Sequence, residues 1–381
     1  MNIALPLPLK SYRIATSVYF LVAGLTFASW ASRIPAIQAK LQLSEAGLGT
    51  ILFALPVGLL MSLPLSGWLV SRFSSKTVLI IAALLYPMLL VPLAIASSVW
   101  LLAIGLFFFG LASNLMNIAM NTQAVSIERF YGCSIMASFH GLWSVGGFAG
   151  AIIGTIAVSS NLSPLLHFCI IWGAAAMLSV AAYKYAMPGE SKSEEENAPM
   201  FAMPDKALWL LGFIAFCCLV CEGAMADWSG VYFSKVVQTP AAYTTLGYVA
   251  FTGTMAIGRF VGDGLANRFG IKNMMALSGL VTAAGLMIAV IFPNLIAATI
   301  GFLLVGFGVS SVVPIVYGVA GKSKNMKPSV ALAAVSTIGF MGFLVGPPLI
   351  GFIAEASSLR IAFGVIALLG LVTALLSRRI K

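Results

Sequence analysis

Apolar runs of about 20 residues recur along the whole chain between short polar breaks, and each is long enough to cross a ~30 Å hydrocarbon core as a helix. They cover residues 14–34, 46–70, 78–96, 99–126, 133–158 and 163–185, then 207–233, 244–265, 273–292, 295–318, 329–354 and 359–376. Strand-length alternation is missing, which argues against a barrel. The pattern predicts an all-α integral membrane protein with twelve transmembrane helices in two pseudo-symmetric six-helix bundles. A long polar segment, 188–206, separates the sixth and seventh runs, and its Glu194-Glu195-Glu196 run reads as solvated, flexible linker. The expected organisation is therefore a bundle at 1–187, a cytoplasmic linker at 188–206 and a bundle at 207–381. Lys10 and Arg13 precede a first run too long for a signal-peptide core, so it is expected to stay in the protein as a helix.

Composition agrees with this pattern. Only 8% of residues are charged and 60% are hydrophobic, whereas soluble domains carry about 25% charged residues. A net charge of +10 could suggest nucleic acid, but the basic residues are scattered singly over short loops and act as topology signals instead. With the amino terminus inside, 17 of the 21 Lys and Arg fall on the cytoplasmic side and only Arg33, Lys40, Lys235 and Arg360 on the other. That bias puts both termini and the linker in the cytoplasm. The five cysteines lie in or beside apolar runs, so no extracellular disulfide framework is implied. Cys218 and Cys221 form a C-x-x-C that could hold a soft metal, although free cysteine is more often a small buried hydrophobe, and no metal or cofactor is expected.

The two halves resemble each other at an offset of about 195 to 198 residues. Ala28-Ser29-Trp30 matches Ala226-Asp227-Trp228, Arg72-Phe73 matches Arg268-Phe269, and Gly147-Phe148 with Gly150 matches Gly342-Phe343 with Gly346. Such repeated halves are a transporter feature. With six runs in each half, both halves enter the membrane from the same side. At these residues the chain resembles the major facilitator superfamily over essentially its whole length. The loop from Gly67 to Lys76 is similar to that superfamily's loop between its second and third helices, except that Ser71, and Asn267 in the second half, stand where an acid is usual. The family's cytoplasmic charge latch would then fall to Arg72, Arg129, Asp263 and Arg268, with Arg259 and Glu128 as substitutes. More narrowly, FASWASRIPAI at 27–37, SFHGLWSVGG at 138–147, CEGAMADW at 221–228 and GFLVGPPLIG at 342–351 are similar to the ybjJ-type inner-membrane transporters of bacteria. The resemblance implies the major facilitator fold and a transport role, and names no solute.

Glu222 and Asp227 stand inside an otherwise apolar run, and a charge at the bilayer centre costs about 3 kcal/mol on insertion scales. Intramembrane acids therefore normally face protein or water and carry function. Low dielectric disfavours an ionised carboxyl, so Glu222 is expected to load and release a proton during an alternating-access swing. The plainer alternative is a helix-packing Glu222 kept neutral and an Asp227 hydrated near the surface. Arg33 lies ~30 Å along the first run, and Asp227 at a similar height, so the two could pair across a closed outer gate with Trp30 and Trp228 as plugs. Otherwise Arg33 is an interfacial anchor.

Asn114, Asn117 and Asn121 fall at i, i+3 and i+7 of the fourth run and line one face. Such a stripe suits a wet cavity and a hydrogen-bonding solute, or else bonds a neighbouring helix. Ser310 and Tyr317 of the tenth run are further candidates for binding. His140, ~10 Å into the fifth run, reads equally as a proton relay and as a neutral histidine bonded to a carbonyl. The G-x-x-x-G steps at Gly146, Gly150 and Gly154, at Gly258 and Gly262, and at Gly342 and Gly346 permit close helix approach, whether for rocking or for static packing.

The leading expectation is a secondary transporter of a small polar organic solute, coupled to protons, with symport favoured. It is placed in the bacterial inner membrane as a monomer whose partners are solute, protons and lipid. The alternatives are a proton-driven exporter of amphipathic compounds and, more remotely, a non-transporting membrane sensor. No enzymatic role is expected, since H-E-x-x-H, G-x-S-x-G and P-loop motifs are missing.

Overall fold

The computed structural model describes residues 7–132, 135–188, 206–323, 326 and 328–380, apart from the side chains of 137, 263, 328 and 329. The described secondary structure is helical throughout. Among the described residues, eleven stretches are long and apolar enough to cross a membrane: α1 (Leu9–Lys40), α2 (Glu45–Phe73), α3 (Ser75–Ile95), α4 (Val99–Tyr131), α5 (Ser138–Ser159), α6 (Pro164–Tyr183), α7 (Lys206–Lys235), α9 (Ile271–Ile291), α10 (Leu295–Ala320), α11 (Val330–Ala356) and α12 (Leu359–Ser377). The remaining run of the expected twelve, at 244–265, is a helix too, α8 (Leu246–Phe269). Its 24 residues suffice in length, but Arg259, Asp263 and Arg268 make it the least apolar of the set.

Proline places the breaks within these helices, because its ring removes a donor and collides with the carbonyl four residues back. Pro35 follows the interruption of α1 at Ser32 and Arg33, and Pro56 follows that of α2 at Phe53. Pro314 lies four residues beyond Ser310, where α10 divides into Leu295–Val309 and Val312–Ala320. Helix starts are closed by short polar side chains: Ser98, Ser163, Asn294 and Ser358 each accept a bond from a backbone N–H three residues on. Large apolar side chains such as Trp100, Met177 and Ile296 are more than 70% exposed on the outer faces, as lipid-facing helices require.

The chain divides into two compact units, Met1–Ile37 with Ala54–Glu194, and Gln38–Phe53 with Glu195–Lys381. Of the linker expected at 188–206, residues 189–205 lie outside the described residues. In the first unit α1 packs along α5 and the later part of α2 along α4. In the second unit α7 packs along α11, while α9 packs on both α10 and α12. The α1–α5 and α7–α11 contacts are equivalent. A Cβ at Gly150 would come 2.7 Å from the Leu25 carbonyl oxygen, and one at Gly342 the same distance from that of Phe216. The glycine steps of α5 and α11 are thus filled by helices of their own unit. Gly258 and Gly262 of α8 are likewise filled, by the hydroxyls of Ser310 and Ser311.

Candidate functional site

In the second unit, the Glu222 carboxylate meets the Arg259 guanidinium, Nη2 to Oε1, at 3.5 Å, with both side chains less than a fifth exposed. Glu222 lies near the middle of α7 and Arg259 near the middle of α8, so the pair sits deep within the span. Tyr317, on the short helical segment beyond the α10 break, lies near enough to feel the same carboxylate and sits beside Ser336 of α11. Its hydroxyl is buried without a hydrogen bond of normal geometry. Two charges taken out of water together retain much of each other's stabilisation, whereas either one alone would be strongly unfavourable. Glu222 and Arg259 thus offset part of each other's cost of burial.

Asp227, the second acid of α7, is half-buried, with no hydrogen-bond or ion-pair partner among the described residues. Trp30 and Trp228 are fully buried, each with its indole N–H unpartnered, and Trp30 packs 6.4 Å from Phe109 of its own unit. Arg33 is 3% exposed. Its Nε–H donates to His167 Nδ1 at 3.1 Å and its Nη2 to the Leu162 carbonyl at 2.9 Å. It thereby ties the break in α1 to the start of α6, and an outer-gate role would require it to leave those partners.

The asparagine stripe divides. Asn114 is buried and donates to Ser62 Oγ of α2 at 2.7 Å, while Asn121 donates to the backbone and side-chain oxygens of Asn117 at 2.8 and 2.9 Å. His140 is exposed on α5, with its ring edge-on to Phe20 at 5.3 Å. A cavity of about 560 Å³ in the first unit opens between Lys10, Arg13, Tyr131 and Leu142, with Ser17 and Leu21 in its wall. Ser310 is buried and returns its hydroxyl to the Phe307 carbonyl. Arg72, Arg129 and Arg268 are exposed, and the Asp263 side chain lies outside those described. Cys218 and Cys221 donate to the Val309 and Ile366 carbonyls from buried positions, and among the described residues no group of three or more ligating side chains gathers.

Sequence reasoning passed over several of these partners. Arg259 was assigned to the cytoplasmic side, although a basic residue midway along an apolar run is itself a reason to look for an intramembrane acid. His167, one turn into α6, carried no signal beyond its type. Glu128 accepts from the backbone N–H groups of Ile135 and Met136 at 2.7 and 2.8 Å and so caps the start of the fifth helix. At the other end of the second unit, Lys235 pairs with Glu45 at 2.5 Å and Glu355 accepts from the Ala46 N–H at 3.3 Å. These contacts dock residues 38–53 onto α7 and α11.

A family model described as Major Facilitator Superfamily matches residues 15–331. An uncharacterized MFS-type transporter of Yersinia pestis is 35% identical over 370 residues, covering 97% of this chain and 96% of that protein. Among solved structures, the nucleoside transporter NupG superposes with a TM-score of 0.76 at 13% identity, covering 97% and 98% of the two chains. The E. coli fucose:proton symporter FucP superposes with a TM-score of 0.65 at 17% identity, covering 97% and 98%.

Proposed function

The chain belongs to the Major Facilitator Superfamily, and from that premise we propose that it moves a small polar organic solute by alternating access, coupled to protons as a symporter. The observation that carries this reading is the Glu222–Arg259 pair, an acid and a base brought together at 3.5 Å in mid-membrane. Helix packing alone does not call for ions there, and intramembrane ionisable groups mark proton and substrate paths. Fucose and nucleosides, named for the two structural neighbours, are polar organic solutes, and one neighbour is a proton symporter. That likeness supports the class of solute and the coupling.

In this reading Glu222 carries the proton. Asp227, half-buried and unpaired among the described residues, offers a second protonation step toward the outer end of α7. His140 passes protons to and from the cytoplasmic side, and Asn117, Asn121, Ser310 and Tyr317 supply hydrogen bonds to the solute. Both termini face the cytoplasm of a bacterial cell, as the distribution of Lys and Arg suggests.

The test is transport in proteoliposomes. An imposed proton gradient should drive accumulation of the solute, and Glu222→Gln should abolish accumulation while sparing solute exchange. Normal accumulation by both Glu222→Gln and Asp227→Asn would defeat coupling through α7.

A further inference from the structure

The cavity of the first unit plays no part in coupling through Glu222, and its shape and charge suit another ligand. The geometry points to an anionic phospholipid, seated with its phosphate on Arg13 and Lys10 and one acyl chain along α1. The volume, about 560 Å³, falls in the ~300–1,000 Å³ range of small-molecule sites. The cavity lies where the start of α1, the end of α4 and the first turns of α5 come together. Lys10 stands in the first turn of α1 and is exposed. Arg13, three residues on, is held in place. Its Nη2 donates to Ser138 Oγ at 3.3 Å, and its guanidinium lies 5.5 Å from the centroid of the Tyr131 ring, within the ~6 Å reach of a cation–π contact. Deeper, the wall is formed by Ile14, Val18 and Leu21 of α1 and Leu142 of α5, with the Ser17 hydroxyl among them. From Lys10 to Leu21 the wall descends ~16 Å along the helix axis, at ~1.5 Å per residue.

Basic at the helix start and apolar along the span, the cavity repeats the order of a phospholipid, head at the membrane surface and chain directed inward. Ile14 is 55% exposed, so a chain can enter from the side. Basic pockets between membrane helices near the surface recognise anionic headgroups, and tyrosine rings favour that depth. A bare phosphate or a small polar solute would leave the apolar wall without a partner. With two cations at the mouth, a headgroup of net negative charge is preferred over a zwitterionic one, whose ammonium they would repel. Arg13 suits phosphate because its planar guanidinium presents five donors in a fixed fork, more than the Ser138 contact uses. Neither cation therefore has to be unpaired. Glu128, the acid one turn before Tyr131 on α4, accepts from the Ile135 and Met136 N–H groups, so its charge is partly taken up at the start of the fifth helix.

The test is lipid binding to the purified full-length protein in neutral detergent, counted by native mass spectrometry and read in parallel as a shift in the thermal unfolding midpoint. The probes are dioctanoyl phosphatidylglycerol, phosphatidylcholine with the same chains, and inorganic phosphate. Phosphatidylglycerol should bind about tenfold or more tightly than either of the others. Lys10→Gln should weaken its binding about fivefold and Lys10→Glu about 25-fold, each unit of charge near the surface counting about fivefold. Arg13→Gln should weaken it about 10- to 100-fold, as the loss of a hydrogen bond to a charged group does. If Arg13→Gln fails to fold, the Lys10 variants still decide the matter, because Lys10 is exposed and its replacement removes no packing. Lys184→Gln, at an exposed lysine outside the cavity, should leave the affinity unchanged. Equal binding of the two phospholipids, or inorganic phosphate binding as tightly as phosphatidylglycerol, overturns the lipid assignment. An effect of Lys184→Gln as large as that of Lys10→Gln also overturns it, since the lipid would then answer to overall positive charge and not to a site. Proton coupling through Glu222 stands or falls separately from every one of these results.

Discussion

The two units are built on one plan and differ in what they place at its centre. In both, the leading helix packs tightly on the fifth helix of its half, α1 on α5 and α7 on α11, and each leading helix carries a buried tryptophan with an unpartnered indole, Trp30 and Trp228. At the repeat offset, Glu222 of the second unit corresponds to Gly24 of the first. Gly24 backs directly onto the Trp143 carbonyl, with no space for a side chain. The charged contact of the first unit is displaced instead to the break in α1, where Arg33 meets His167 and Leu162. The same helix pair thus serves as a sealed strut on one side and as the frame of an ionisable site on the other. The buried pair of Glu222 and Arg259 belongs to the second unit.

The sharpest way to break this comparison is to give the first unit a side chain where the second has one. Gly24→Leu should leave no well-folded protein, since overpacking against backbone costs about 3 kcal/mol or more, and size-exclusion chromatography of the detergent extract reads this directly. Next in size is Arg259→Gln, which strands the Glu222 charge. A loss of about 3 kcal/mol in thermal stability is expected, largely restored when Glu222→Gln is added. Additive losses in the double variant would mean that the two side chains do not depend on each other.

Smaller effects belong to the ends of the helices. Arg33→Ala and His167→Ala should each cost about 1–2 kcal/mol by removing a buried hydrogen bond, and the double variant should cost clearly less than the sum of the two singles. Lys235→Ala should change stability by less than ~1 kcal/mol, because Lys235 is 43% exposed and such pairs contribute little. A large loss there would make the outer contact of residues 38–53 structural for the whole second unit.

Much of the architecture was legible in the sequence because the bilayer imposes one length and one polarity on every span. The apolar runs and the repeat at Trp30 and Trp228 are one-dimensional signals. α8 shows where that legibility weakens. Arg259 lowers its apolar character, and the same residue proves to be the partner of Glu222. Partnership is a property of two helices at once, and no periodicity within α7 or α8 records it. The asparagine stripe divides for a related reason. Spacing puts Asn114, Asn117 and Asn121 on one side of α4, but whether such a side meets a cavity or a neighbour depends on α2, whose Ser62 takes up Asn114. Prolines 35, 56 and 314 were visible in the sequence, yet they were not used to find the breaks that position Arg33 and Ser310.

The central claim is that Glu222 is the group whose protonation moves with the solute. It is tested most directly by following external pH while solute enters proteoliposomes that carry no imposed gradient. Wild-type protein should alkalinise the outside in step with solute influx, and Glu222→Gln should carry solute down its gradient with no accompanying proton signal. Proton movement that persists at the wild-type ratio in Glu222→Gln would contradict the account.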